Sequence, residues 1–188
     1  MTALFLAPHN DDETLFGAYS ILRHEGDIQV VTVLRSHLQE LRGRGITAAM
    51  RENETRDALG VLGVSPDRWT QWDIPDSNPD WGRVEAAFKD LLWEDWSAVY
   101  VPAAYTSGGG HPHHDKIGIL AADVFGNDRV TCYHTYVNGR GRVQGAHVPV
   151  RNPDWVRRKL MALACYTSQI REASTGHHFA QALDEWYA

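Results

Sequence analysis

Cysteine is scarce in this 188-residue chain. Cys132 and Cys165 are the only two, and they form no CxxC pair. A disulfide framework and a thiolate metal knuckle are therefore excluded, and a reduced, cytoplasmic setting fits best. Long apolar runs are missing too: none approaches the roughly 18 residues that a membrane-spanning helix needs. No basic segment precedes the N-terminal apolar stretch, so no secretory signal is expected. No GxGxxG follows the first apolar run and no P-loop occurs. Positive charge is also in deficit, with 18 Lys and Arg against 24 Asp and Glu, a net charge of −6 and a pI near 5.9. That argues against a polymeric nucleic acid held by phosphate neutralisation and leaves small-molecule ligands open. No internal repeat or low-complexity segment appears.

Hydrophobic residues make up 43% and charged residues 22%, as expected of one globular domain spanning 1–188. Histidine stands out. There are ten, and three fall at positions 111, 113 and 114.

Apolar patterning alternates between short buried-strand runs and helical faces. Ala3 to Ala7 is an apolar run stopped by Pro8, which reads as a buried parallel strand. A helix follows, with Leu15, Phe16, Tyr19, Ile21 and Leu22 on one face and acids in its first turn that suit the helix dipole. Gly26 stops it, and Ile28 to Leu34 is the next strand. The same reading predicts helices over 47–62, 84–93, 113–125 and 153–164, and strands over 69–74, 98–102 and 130–136. Strands alternating with helices imply right-handed crossovers. The expected fold is thus α/β: one doubly wound, Rossmann-like, mostly parallel sheet with helices on both faces. Residues 35–46, with Arg35, Arg42 and Arg44 among glycines, read as a mobile surface loop.

Two strand-to-helix junctions carry unusual chemistry. Pro8-His9-Asn10-Asp11-Asp12-Glu13 follows the first strand, and His111-Pro112-His113-His114-Asp115 follows the strand at 98–102. Ligands of open α/β sheets bind beyond strand carboxyl ends, so neighbouring strands would make these motifs face each other. A catalytic zinc ion takes three nitrogen or oxygen ligands and keeps one position open. His9 and Asp12, with either His111 or His114, would complete such a set. Asp11 and the remaining histidine would then be a general base and an oxyanion stabiliser. That is the inventory of a metal-dependent hydrolase. Taken singly, each motif has a plainer reading: a helix cap and a surface histidine, or a solvated loop. His24, His37, His134, His147, His177 and His178 are read as structural or surface residues, and both cysteines as core.

Together the motifs resemble the LmbE-like, or PIG-L, N-deacetylase family. Its members carry Pro/Ala-His-Pro-Asp-Asp-Glu after the first strand and His-Pro-Asp-His downstream. Arg51-x-x-Glu54 leading to Ala58-Leu59-Gly60, and Lys159 through Tyr166, Ser168 and Gln169, are similar to two further family segments, so the likeness runs from residue 3 to about 170. The resemblance implies zinc-dependent hydrolysis of an N-acetyl group, usually on a glucosamine-type sugar, with another divalent metal such as Fe2+ as an alternative ion. It assigns His9, Asp12 and His114 as zinc ligands and Asp11 as the general base. His111 would stabilise the tetrahedral intermediate or protonate the leaving amine.

Three departures from the family pattern stand out. Asn10 replaces a proline, His113 replaces an aspartate, and Leu34-Arg35-Ser36-His37 lacks the Thr-x-Gly-Glu stretch of many members. The chain is also short for the family, which leaves little room for substrate-selecting insertions. Arg51 and Tyr105 are the candidate substrate contacts, and the Gly108–Gly110 run reads as a flexible turn. Trp81, Trp93 and Trp96 read as packing residues. The rival readings are a metal-dependent phosphohydrolase, for which the motifs hold few carboxylates, and a non-catalytic sugar- or nucleotide-binding domain.

Overall fold

Ala3–Ala7 forms the first strand, β1, and every one of its residues is buried. Its two edges are covered by parallel neighbours, and its two faces pack into separate core clusters on either side of the sheet. The neighbours are β2 (Ile28–Thr32) and β4 (Val99–Pro102), in the registers Phe5 to Val30 and Phe5 to Tyr100. The structure, a computed structural model, describes residues 2–25, 27–37, 43–104, 111–135, 146–147, 152–171 and 185–187. Two further parallel strands, β3 (Trp69–Gln71) and β5 (Val130–Tyr133), extend the sheet outward. Two short strands, β6 (Ala146–His147) and β7 (Trp186–Tyr187), continue it antiparallel beyond β5. The strand order is β3-β2-β1-β4-β5-β7-β6.

Side-chain alternation along β1 divides the core in two. Ala3, Phe5 and Ala7 face one cluster, with residues of α1 (Asp12–Arg23), α2 (Ala48–Leu62) and α5 (Pro153–Leu163). Leu4 and Leu6 face the other, with Val84 and Phe88 of α3 (Trp81–Leu91) and Ile117, Leu120 and Phe125 of α4 (Pro112–Phe125). The predicted helix-covered α/β sheet is therefore observed.

Two glycines set how closely the helices approach the sheet. A Cβ on Gly17 would stand 2.1 Å from the Phe5 ring, and one on Gly118 would stand 2.2 Å from the Pro102 carbonyl oxygen. Gly118 thereby seats α4 against the carboxyl end of β4, which fixes where His111–His114 emerge.

Some expectations need correction. The helix predicted over 84–93 starts at Trp81, because Asp80 caps it by accepting from the Arg83 N–H. The strand at Ile28 ends at Thr32, although Val33 and Leu34 still donate to the Ala7 and Pro8 carbonyls. β6, β7 and a one-turn helix α6 (Thr167–Ile170) were not foreseen. Arg35, expected in a mobile loop, bridges to Pro75 and forms ion pairs with Glu52 (2.6 Å) and Asp73 (3.1 Å). Trp93 packs against nothing substantial, being 89% exposed. Gly26, residues 38–42, Tyr105, the 108–110 glycines, His177 and His178 lie outside the described residues.

Candidate metal centre

The strand order reverses between β1 and β4, and ligands of open α/β sheets bind at the carboxyl edge of such a switch point. Both motifs emerge there. His9 leaves the end of β1, Asp12 opens α1, and His114 lies in the first turn of α4, which starts from a His111 cap with Pro112 at its first position.

Three donor atoms converge. His9 Nδ1 lies 3.2 Å from Asp12 Oδ2 and 3.2 Å from His114 Nε2, and His114 Nε2 lies 3.1 Å from Asp12 Oδ2. Donors about 2.0–2.1 Å from one tetrahedral zinc ion stand about 3.3 Å apart, so this near-equilateral triangle fits a single ion. A buried polar atom supports the fit. Asp12 is fully buried, yet its Oδ1 has no hydrogen-bond partner among the described residues. The set also has an outer layer. Thr135 Oγ1, just past β5, lies 3.1 Å from His114 Nδ1, and this contact orients the ring so that Nε2 faces the other donors. On the far side, His9 Nε2 meets His113 Nδ1 at 2.9 Å.

Burial works to raise the Asp12 carboxyl, but the charges and hydrogen bonds of His114 and His9 outweigh it and hold it below the ordinary carboxylate range. Asp11 goes the other way: burial raises it, Arg51 opposes, and Asp12 adds to the rise. Burial and then the neighbouring histidine charges push both His111 and His113 down to about 4, so both rings are neutral at pH 7.

Asp11 occupies an unusual backbone position, with φ 141° and ψ −23°. Such a conformation costs on the order of 1–3 kcal/mol and persists only where its surroundings over-determine it. They do so here. Arg51 Nη2 donates to Asp11 Oδ2 at 3.0 Å and to the Asn10 carbonyl, and the Asp11 N–H donates to Glu13 Oε2 at 3.2 Å. Asn10 is fully buried, and its Nδ2 donates to Thr55 Oγ1 and Gln71 Oε1, so the residue replacing the family's proline ties the junction to α2 and β3.

The structure thus brings together His9, Asp12 and His114, with His111 and His113 beside them. His9 and His111 have ring centroids 4.9 Å apart. Arg51, expected at the substrate, is 4% exposed and paired with Asp11. Tyr105 is not among the described residues. Of the other histidines, His24 contacts the Tyr100 hydroxyl and His37 the Arg35 carbonyl. Three residues of the surroundings were missed by sequence reasoning: Glu13, Tyr166 and Thr135. By its sequence position alone, Glu13 is an acid of the first helical turn that suits the helix dipole. It is instead fully buried, accepts from Tyr166 and Thr14 hydroxyls, and is pushed up to about 7 by that burial. A cavity of about 570 Å³ lies elsewhere, near the amino ends of the strands around Thr2, Gln29 and Thr70, and contains none of the converging donors.

Fold and donor set together define an α/β domain with a candidate transition-metal centre at its switch point. The model of the PIG-L family, GlcNAc-PI de-N-acetylase, matches residues 4–125, and the chain belongs to that family. Three solved structures share its fold. A triple mutant of a deacetylase of the teicoplanin biosynthetic pathway is 17% identical, with a TM-score of 0.75 over 100% of this chain and 97% of that one. An N,N'-diacetylchitobiose deacetylase from Pyrococcus horikoshii is 19% identical, with a TM-score of 0.70 over 97% and 75%. A 4-carboxy-2-hydroxymuconate hydratase from Pseudomonas putida is 16% identical, with a TM-score of 0.66 over 96% and 84%. The fold therefore hosts more than one reaction, and function has to be argued from the site. No curated protein matches the sequence.

Proposed function

We propose that this protein is a divalent-metal-dependent hydrolase that removes an N-acetyl or similar N-acyl group from a small amino-sugar-type molecule. The observation that carries this reading is the His9–Asp12–His114 triangle with a carboxylate, Asp11, next to it in the chain. Family membership and two deacetylases among the structural neighbours support it. Zinc suits a two-imidazole, one-carboxylate set, with Fe2+ as the alternative ion. A bound ion would supply Lewis acidity there, lowering the pKa of a water and polarising the acyl carbonyl.

The chain's own residues do the rest. Asp11 accepts the proton of the attacking water and hands it to the departing amine, giving acetate and a free amine. A positioned base of this kind contributes on the order of 10²–10⁴ in rate. Arg51 holds Asp11 Oδ2, which leaves Oδ1 for the proton, so Arg51 acts through the base rather than on the substrate. The His113 N–H donates to His111 Nδ1 at 3.3 Å, and this places the proton of the neutral His111 ring on Nε2. His111 thus stabilises the oxyanion as a neutral N–H donor, an effect on the order of 10²–10³ in rate. Tyr105 completes the proposed substrate contacts. The unpaired Cys132 and Cys165 favour a reducing, cytoplasmic setting.

The test offers the zinc-loaded protein a panel of N-acetylated amino sugars, phosphoesters and unsaturated carboxylic acids. Acetate release from an N-acetyl sugar is expected. Phosphate release alone would favour the phosphohydrolase, and hydration alone would align the chain with the hydratase.

A further inference from the structure

His113 stands where the family has an aspartate, and the metal centre as described does not use it. Its surroundings are rich in donors. His113 Nδ1 is 2.9 Å from His9 Nε2, and the His111 and His113 ring centroids are 4.9 Å apart. His9, His111 and His113 each offer a ring nitrogen within 4.8 Å of the other two, and all three are partly exposed, unlike the buried Asp12 and His114.

From this geometry we infer that His9, His111 and His113 form a second, weaker site for a divalent transition metal, sharing His9 with the first. An all-imidazole set with no carboxylate suits zinc, copper or nickel and rejects magnesium and calcium. The first set takes His9 through Nδ1 and the second through Nε2. Filling both makes His9 a bridging imidazolate and releases its remaining ring proton to solvent. Two features make the second affinity the lower one. Charge is unfavourable, since a second dication joins the first with no added carboxylate. Geometry is also looser: donors spread over as much as 4.8 Å must close toward about 3.3 Å, and His111 gives up its contact with the His113 N–H. The second ion takes His111 out of action, so excess metal inhibits. That consequence rests on the deacetylase reading; the binding does not.

The test is a zinc titration of chelator-stripped protein by calorimetry, repeated in two buffers of different ionisation enthalpy to count protons. Wild type should take two equivalents, the second weaker and accompanied by extra proton release. His113→Ala and His113→Phe should lose the second equivalent and keep the first, with His113→Phe preserving the ring that packs 6.0 Å from Trp81. Asp12→Asn separates the sites by weakening the first. One equivalent in wild type, removed by Asp12→Asn, overturns the second site and leaves the first standing. A second equivalent that survives both His113 variants also overturns it. No uptake at all overturns both sites.

Discussion

At the end of β1, Asn10, Asp11 and Glu13 are tied to three other parts of the fold: Arg51 and Thr55 of α2, Gln71 of β3, and Tyr166 between α5 and α6. At the start of α4, His111 and His113 make ring contacts with each other, with His9 and with Trp81, and both rings remain partly exposed. One half of the centre is rigid, buried and anionic, and it stores backbone strain at Asp11. The other is an adaptable imidazole cluster, anchored mainly through the buried His114. The difference locates the roles. Under the proposed function, the half that would fix a base and a ligand must hold geometry, whereas the half that would meet substrate tolerates a departure such as His113.

Changes in the rigid half should have the largest effects. Asp12→Asn should remove the tightly bound equivalent of metal, the one that survives dialysis and is read by metal analysis, because it deletes the carboxylate on which both imidazoles converge. Arg51→Ala should cost about 3–5 kcal/mol in unfolding free energy, as expected when a buried ion pair loses one partner. It should also lower kcat more than it raises KM, since Arg51 acts through Asp11. A KM effect alone would restore Arg51 as a substrate contact.

Glu13 provides a pH test of the same half. Its folded pKa, about 7, lies above its ordinary 4.5. The folded state therefore binds more protons between those values, and the stability linked to Glu13 is fully present below pH 4.5 and lost as pH rises through 7. That difference between folded and unfolded states corresponds to roughly 3 kcal/mol at most. Glu13→Gln should flatten that loss, so metal-free wild type and variant should diverge in denaturant midpoint between pH 5 and 8. Parallel curves would show that Glu13 is ionised in the fold. The smallest effect is expected at the edge of the adaptable half. Thr135→Val removes the hydroxyl at His114 Nδ1 and should weaken metal affinity by about 10–100-fold without unfolding the protein.

What the sequence revealed and what it hid follow the range of the interactions. β1 was legible because a central strand buried on both faces must be apolar throughout, and both motifs were legible because each is contiguous. Their pairing depended on the two strands being neighbours, and the β1–β4 register places them side by side. β6 and β7 were not legible, since two-residue strands carry no period. Glu13 was misread because nothing local separates an acid that serves the helix dipole from one buried under a tyrosine 153 residues away. The pairing of Arg51 with Asp11 and the contact of Thr135 with His114 were hidden for the same reason, because the partners are 40 and 21 residues apart.

We propose that two different carboxylates of the rigid half divide the work, Asp12 binding metal and Asp11 activating water. Asp11→Asn tests this division most directly, with metal content and acetate release from an N-acetylated amino sugar measured on the same sample. One tightly bound equivalent of metal is expected, with acetate release reduced by at least about 10²-fold. Undiminished acetate release, or loss of the metal together with activity, would contradict the division.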